Sequence, residues 1–388
     1  MASIESQFLR CGVLFDGNNV LKDTTIEISE GKIASIGKEP LDKKGVWDLS
    51  DQTIIPGIID CHDHLGLDPG DEREQSLAPT PWISLVGSAN ARKILGAGIT
   101  TLRDVGEKDF IDVYWKKAIT EGLIKGPNML ISGQPVIKTG GHGWYLGREA
   151  DGKDEIIKAV REQVKQGVDF VKVMVGGGLT TLGSDPAFAE FSEEEVFSLV
   201  KEAHRCGRKV IAHAHGGVAA DIAIEAGVDS IEHGVFLSRG QMESMRDKGI
   251  FLVVTYGIIE QIVQGENIPE FTKSKAKEYI KKYFEVISTA REVGTMLAAG
   301  GDGLHGRPDR EMFALVSSGF SNRDAIRIMT SDSAKLCGID AIAGTIEKGK
   351  RADIVGLGSN PLEKISNIRD VQFVCRNGEI VYYKGWLV

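Results

Sequence analysis

Apolar and polar positions along the chain fall into two textures. Near both ends, short runs alternate apolar with polar residues and are broken by turn residues, a period that predicts half-buried strands. At the N-terminal end the runs are Cys11 to Phe15, Thr24 to Ile28 and Gly31 to Ile36, with a turn at Asp16-Gly17-Asn18. At the C-terminal end they are Ala352 to Leu357, Val371 to Cys375 and Glu379 to Tyr383, with a turn at Arg376-Asn377-Gly378. Strands at both termini without intervening helices predict one small β-sandwich domain assembled from residues 1–56 and 343–388.

Between them a unit recurs: a short apolar strand, a polar loop, an amphipathic helix. The strands predicted are Gly57 to Asp63, Ile99 to Val105, Asn128 to Ser132, Asp169 to Val175, Lys209 to Ala214, Asp229 to His233, Phe251 to Thr255 and Thr295 to Asp302. Three are announced by one phrase, Gly98-Ile99-Thr100, Gly167-Val168-Asp169 and Gly227-Val228-Asp229, in which a glycine closes a helix and a strand begins. Eight such units predict an α/β chain with a (β/α)8 TIM barrel over 57–342. A doubly wound sheet is the rival, but it gives no reason for the count of eight.

Composition narrows the function. The 388 residues are 42% hydrophobic and 26% charged, near the globular average, which excludes disordered, collagen-like and coiled-coil chains. A formal charge of −9 gives no electrostatic footing for nucleic acid or an anionic membrane. No apolar run approaches the ~20 residues that span a bilayer. The five cysteines, Cys11, Cys61, Cys206, Cys337 and Cys375, are scattered and form no C-x-x-C pair. With no apolar core for a secretory signal near the N-terminus, the expectation is a cytoplasmic protein, and homo-oligomers are the common state of such enzymes.

Barrel enzymes carry their chemistry at the C-terminal ends of the strands. His62 and His64 in Asp60-Cys61-His62-Asp63-His64 share one face of an extended strand, a natural metal pair, with Cys61 pointing the other way. His213 and His215 repeat that spacing, and His233 and Asp302 end two further strands. Lys172 stands in Asp169-Phe170-Val171-Lys172-Val173-Met174-Val175, apolar on both sides as in a strand buried on both faces. Burial disfavours the ammonium form. A neutral amine reacts with carbon dioxide to give a carbamate, whose two oxygens bridge two metal ions. Lys172 equally fits a strand-mouth ammonium paired with a carboxylate, and the four histidines and the aspartate beside it favour the metal. Histidine and oxygen ligands without thiolates suit Zn2+ before Mn2+, Co2+ or Ni2+. Gly176-Gly177-Gly178 follows a strand but lacks the continuation of a phosphate loop.

These pieces, in order along nearly the whole chain, resemble the amidohydrolase superfamily, and within it the prolidase and imidazolonepropionase-related group. The matching segments are Ile55 to His64, Gly98 to Asp104, Thr139-Gly140-Gly141-His142-Gly143, Asp169 to Gly177, Ala212 to Gly216, Ile231 to Gly234, Gly300 to Gly303, Gly344 to Val355 and Asn360-Pro361-Leu362. The resemblance implies a binuclear site. One divalent ion, most simply zinc, would take His62, His64, N6-carboxylysine at Lys172 and Asp302; the second would take Lys172, His213 and His233. It selects His213 over His215 as ligand, leaving His215 to substrate, and it gives His142 a place near the scissile group.

It further implies hydrolysis of an amide by a metal-bridged hydroxide, with Asp302 moving the proton to the leaving amine and His142 or His215 steadying the oxyanion. The expected substrate is a small-molecule amide: a dipeptide of Xaa-Pro type or an N-acyl amino acid, ochratoxin-type amides included. Arg148, Arg307, Arg310, Trp144, Tyr145 and Tyr256 stand in the loops that would set specificity, and Tyr145 and Arg307 are the candidates for substrate contact, an arginine suiting a carboxylate. Hydrolysis of a cyclic amide or imidazolone ring, or deamination, are the rival activities; the relatives performing them generally use one metal and no strand lysine. A scaffold that has lost its ligands is disfavoured because every ligand position is filled.

Overall fold

The computed structural model describes residues 6–38, 45–265, 268 and 270–388. The first strands are β1 (Gln7–Phe15), β2 (Val20–Ser29), β3 (Lys32–Gly37) and β4 (Val46–Pro56). The central ones are β5 (Ile58–Asp63), β6 (Ile99–Asp104), β7 (Asn128–Ile131), β8 (Val136–Ile137), β9 (Arg148–Glu149), β10 (Phe170–Met174), β11 (Lys209–Gly216), β12 (Ser230–Phe236), β13 (Phe251–Val254) and β14 (Leu297–Ala299). The last are β15 (Ile354–Leu357), β16 (Val371–Arg376), β17 (Glu379–Tyr383) and β18 (Trp386–Leu387).

Residues from both chain ends build one eight-stranded sheet in the order β18-β17-β16-β15-β4-β1-β2-β3. The seam is β4 against β15, antiparallel, with Ile354 opposite Pro56 and Val355 opposite Ile55. Strand β4 escaped the sequence pattern because Asp48, Ser50 and Asp51 interrupt its alternation; it pairs parallel to β1 across a bulge between Cys11 and Val13. Leu9, Leu14, Ile26, Leu49, Ile54, Ile354 and Phe373 fill a buried cluster of their own beneath this sheet.

All eight strands expected in the middle of the chain form, and all run parallel to their neighbours. They lie in a three-stranded sheet, β5-β6-β7, and a seven-stranded one, β14-β13-β12-β11-β10-β8-β9. Backbone bonds join both edges of the three-stranded sheet to the larger one, beside β10 and after β14: Asp169 N–H donates to Ile131 O at 2.8 Å, and Asp302 N–H to His62 O at 2.7 Å. The chain is therefore α/β, with helices such as 80–96, 152–166, 193–205 and 270–293 packed over parallel strands. Strands β5, β6, β10 and β13 are buried at every position, as expected where both faces are covered.

The strand predicted over Thr295 to Asp302 is shorter, Leu297–Ala299. Gly300 ends it by lying against β5, where a Cβ would sit 2.2 Å from the His62 amide nitrogen. Asp302 then adopts a left-handed φ of 51°. No described helix is long and apolar enough to cross a membrane.

Candidate active site

The carboxyl ends of β5, β10, β11, β12 and β14 converge on a pocket with about 570 Å3 of open space. Its wall carries His62, His64, His142, Lys172, His213, His215, His233 and Asp302, opposed by an apolar side that includes Leu179, Ile258, Ile259 and Ile262. Seven of these eight polar residues were expected from strand ends; His142 arrives from the loop after β8.

The rings form a continuous cluster. His62 lies 5.7 Å from His64 and 4.8 Å from His233, centroid to centroid. His213 lies 4.5 Å from His233, 4.9 Å from His215 and 4.6 Å from His142. Ligand atoms of His62, His64 and Asp302 fall within 4.8 Å of one another, close enough to share one cation. The Asp302 carboxylate sits 3.4 Å from His62 Nε2, 3.8 Å from His64 Nε2 and 3.7 Å from His233 Nδ1.

Partners behind the rings set which nitrogen faces inward. His62 Nδ1 lies 2.6 Å from Glu232 Oε2, and His64 Nδ1 lies 2.7 Å from Gly106 O. Both partners are acceptors, so Nδ1 carries the proton and each Nε2 offers a lone pair beside Asp302. Apart from the 3.4 Å approach of Asp302, His62 Nε2 is fully buried with no hydrogen-bond partner among the described residues. His213 Nε2 meets Gly177 O at 3.2 Å, and His233 Nδ1 meets the Thr255 hydroxyl at 2.8 Å, itself 2.9 Å from Tyr283. Thr181 accepts from Gly143 N–H and lies 3.0 Å from His142 Nδ1, which leaves its hydrogen for that nitrogen. Gly178 makes room for the His142 ring: a Cβ there would meet Nε2 at 2.2 Å.

Electrostatics match the geometry. Burial, with the neighbouring cationic groups, pushes His64 and His142 down to about 4 and His215 down to about 3. His213 and His233 are driven well below the ordinary imidazole range by burial first. At neutral pH these rings are uncharged, the form that binds metals. Burial would raise Asp302, yet His62, His64 and Lys172 hold it well below the usual carboxylate range. Lys172 is 1% exposed and its Nζ has no hydrogen-bond partner among the described residues. Burial brings its ammonium down to about 8, against the pull of Glu232 and Asp302. An unpartnered buried amine beside inward-facing imidazoles is the donor set a metal pair with a bridging carbamate requires, so the residues fit such a group.

A supporting network went unread in the sequence. Glu232 accepts from Arg103 Nη2 with both oxygens at 2.9 Å while holding His62; burial would raise it, but Arg103 and His62 bring it down to about 2. Arg103 also donates to Cys61 O. His305, fully buried, gives one ring nitrogen to Asp63 at 2.9 Å and the other to Leu67 O at 2.6 Å. With acceptors on both sides, and Asp63 outweighing burial to raise its pKa, it is an imidazolium tying the loop after Asp302 to β5. A charged residue inside an apolar strand was the available signal for Arg103 and Glu232.

The loop arginines do not reach the pocket. Arg307 binds Asp309 at 2.9 and 3.1 Å, Arg148 binds Glu162 at 3.0 Å and Arg310 binds Glu260. Tyr145 is buried and gives its hydroxyl to Glu72 at 3.0 Å, in a groove adjoining the pocket.

Fold and site together define an α/β enzyme whose reacting groups stand at the carboxyl ends of parallel strands. The chain belongs to the amidohydrolase family, whose model matches residues 53–381; it is a hydrolase of carbon–nitrogen amide bonds. Its sequence is 31% identical to an ochratoxinase from Aspergillus niger, over 96% of this chain and 86% of that one. An imidazolonepropionase from Clostridium tetani is 24% identical over 95% and 93%. Among solved structures, a Xaa-Pro dipeptidase with bound methionine superposes with a TM-score of 0.90 at 30% identity, covering 98% of this chain and all of that one.

Proposed function

We propose that this chain is a metal-dependent amidohydrolase that cleaves the amide bond of a dipeptide of Xaa-Pro type or of an N-acyl amino acid. The observation that carries the reading is Lys172 Nζ, buried without a partner among inward-facing imidazoles. The ochratoxinase and Xaa-Pro dipeptidase likenesses supply the substrate classes. The two parallel sheets, bonded to each other along both edges of the smaller one, are read as one closed (β/α)8 barrel over 57–342, and the sheet shared by the chain ends as a composite domain over 1–56 and 343–388. The cytoplasmic reading stays with the scattered cysteines as free thiols, of which Cys61 and Cys337 share an Sγ–Sγ hydrogen bond at 3.8 Å.

His62, His64, Asp302 and the Lys172 carbamate would hold one divalent cation, most simply zinc, and Lys172, His213 and His233 a second. Such a pair supplies hydroxide near neutral pH and polarises the scissile carbonyl. Asp302, kept ionised by its neighbours, takes the proton of the attacking water and returns it to the leaving nitrogen. His142, whose Nδ1 is engaged by Thr181, keeps its proton on Nε2 and offers it to the carbonyl oxygen as charge develops. His215, with Nδ1 unpartnered, contacts substrate, and Tyr145 acts from the mouth. Arg307, occupied by Asp309, has no part in this scheme.

The test is a screen of Xaa-Pro dipeptides and N-acyl amino acids with zinc-loaded protein, paired with elemental analysis and intact mass. Hydrolysis, about two metals per chain and a mass increment of one carbon dioxide are expected. No cleavage of any amide, or active protein with unmodified Lys172, overturns the assignment.

A further inference from the structure

Of the charged groups at the mouth, Glu72 lies on the pocket wall itself, whereas Arg73 lines only the outer groove, its guanidinium 5.8 Å over the Trp144 ring. Arg148, Arg307 and Arg310 are each taken by a carboxylate elsewhere, and among the described residues Lys172 is the one ammonium or guanidinium on the pocket wall. Lys275, near enough to depress His142 and His215, donates to Ser184 O at 3.1 Å and is not on that wall. Glu72 is on it. It stands next to the site of His64 and Asp302 and also lines the outer groove formed by Trp144, Tyr145 and Phe271.

Its carboxyl is held in place from one side only. Tyr145 donates to Oε2 at 3.0 Å and Thr180 donates to the same oxygen at 2.7 Å. No hydrogen bond reaches Oε1 from the described residues, so a rigidly placed acceptor is left for a ligand. Two hydroxyls spent on orienting one carboxylate, with no cation to neutralise it, are an arrangement that gains most when the ligand brings the positive charge. A ligand carboxylate at this point would instead meet both Glu72 and Asp302.

We propose that Glu72 is a specificity-determining residue that takes the α-ammonium of the residue on the acyl side of the scissile bond. The favoured substrates are then dipeptides with a free amino terminus and an apolar first side chain, not N-acyl amino acids. The inference rests on the amidohydrolase reading above and narrows its substrate class. The geometry suits it because the α-nitrogen lies two bonds from the carbonyl carbon, so a carbonyl beside Asp302 puts the amine within reach of a neighbouring carboxylate. Leu179, Ile258 and Ile262 provide the apolar surface for the first side chain. Burial and the nearby Asp302 raise the Glu72 carboxyl to about 7, a penalty that a bound ammonium removes.

Calorimetry of zinc-loaded wild type and Glu72→Gln with L-leucinamide and with its des-amino counterpart, 4-methylpentanamide, tests the proposal independently of catalysis. Wild type should bind leucinamide at least about tenfold more tightly, and in Glu72→Gln the two affinities should converge to within about twofold. In parallel, kcat/KM for L-leucyl-L-proline should exceed that for 4-methylpentanoyl-L-proline in wild type, with the gap closing in the variant. The proposal is overturned if leucinamide fails to bind, if wild type binds both amides equally, or if Glu72→Gln keeps the preference, which would assign the amine to the metal ions. Absence of cleavage with the binding preference intact would count against the hydrolytic assignment and not against Glu72.

Discussion

Replacing Glu232 by glutamine changes one oxygen into an NH2 group and leaves volume and shape nearly constant, so its consequences are those of hydrogen bonding and charge alone. In the native chain the Glu232 carboxylate accepts from Arg103 on one side and from His62 Nδ1 on the other. A carboxamide accepts through one atom only, so it cannot keep both the Oε1 and the Oε2 places as acceptors. If its NH2 faces His62, Nδ1 must accept, and the imidazole proton moves to Nε2, the nitrogen that points at Asp302 and would bind a cation. If its NH2 faces Arg103, two donors oppose each other inside a site where Glu232 is fully buried. Either orientation loses something the native site has.

Removing one member of a buried ion pair costs about 3–5 kcal/mol, because the remaining charge stays desolvated. Arg103 keeps its bond to Cys61 O, which argues for the lower end, about 3 kcal/mol. Losing the group that orients a ligand imidazole typically weakens metal binding by about 10–100-fold. Urea unfolding of metal-free protein reads the first quantity and zinc competition with a chelator reads the second. Metal-free stability within about 0.5 kcal/mol of wild type, the range of an ordinary surface change, together with zinc affinity within threefold, would refute the account.

Lys172→Ala should abolish amide cleavage and leave about one metal per chain, and a short carboxylic acid such as acetate, occupying the vacated space, should restore part of both; loss without any rescue would argue that the lysine acts as an amine. Because carbon dioxide reacts with the neutral amine, and the ammonium form of Lys172 predominates below about 8, reactivation of metal-stripped protein at a fixed concentration of dissolved carbon dioxide should accelerate as pH rises towards 8 and level off above it. A rate that is flat from pH 6 to 9 would contradict this. His305→Asn removes a buried imidazolium from Asp63 and should destabilise the chain by about 3 kcal/mol, loosening the loop that carries Asp302, so kcat should fall more than KM rises; unchanged kcat with the same loss of stability would make His305 structural only.

Several parallel strands could be read from the sequence because they are built on runs of Val, Ile, Leu and Ala, as in Val210-Ile211-Ala212 and Leu252-Val253-Val254, and a polar residue in such a run is conspicuous. Lys172 was found that way. Glu232 and Arg103 carry the same signal, but their meaning lies in a partner 129 residues away, on a strand that is not adjacent. Alternation also misleads at the pocket itself. A period of two puts Glu232 and His233 on opposite faces, yet both reach the His62 ring: Glu232 through Nδ1, and the His233 ring at 4.8 Å.

The cause is the backbone. His233 has a φ of 71° and Asp302 a φ of 51°, left-handed values that cost a non-glycine residue about 1–3 kcal/mol unless its surroundings over-determine them. Here they do: the Asp302 amide is bound to His62 O and the His233 ring to Thr255. Both strained residues are donor candidates and both sit where a strand must turn its side chain into the pocket. No periodicity marks such positions. The arginines fail for the opposite reason, since a loop cation gives no sign of which carboxylate will claim it. Arg307 was claimed by a residue two places along the chain. Once Arg148, Arg307 and Arg310 are matched to their acids, Glu72 is the carboxylate besides Asp302 left on the pocket wall, and an acceptor at that point suits a ligand that brings a donor.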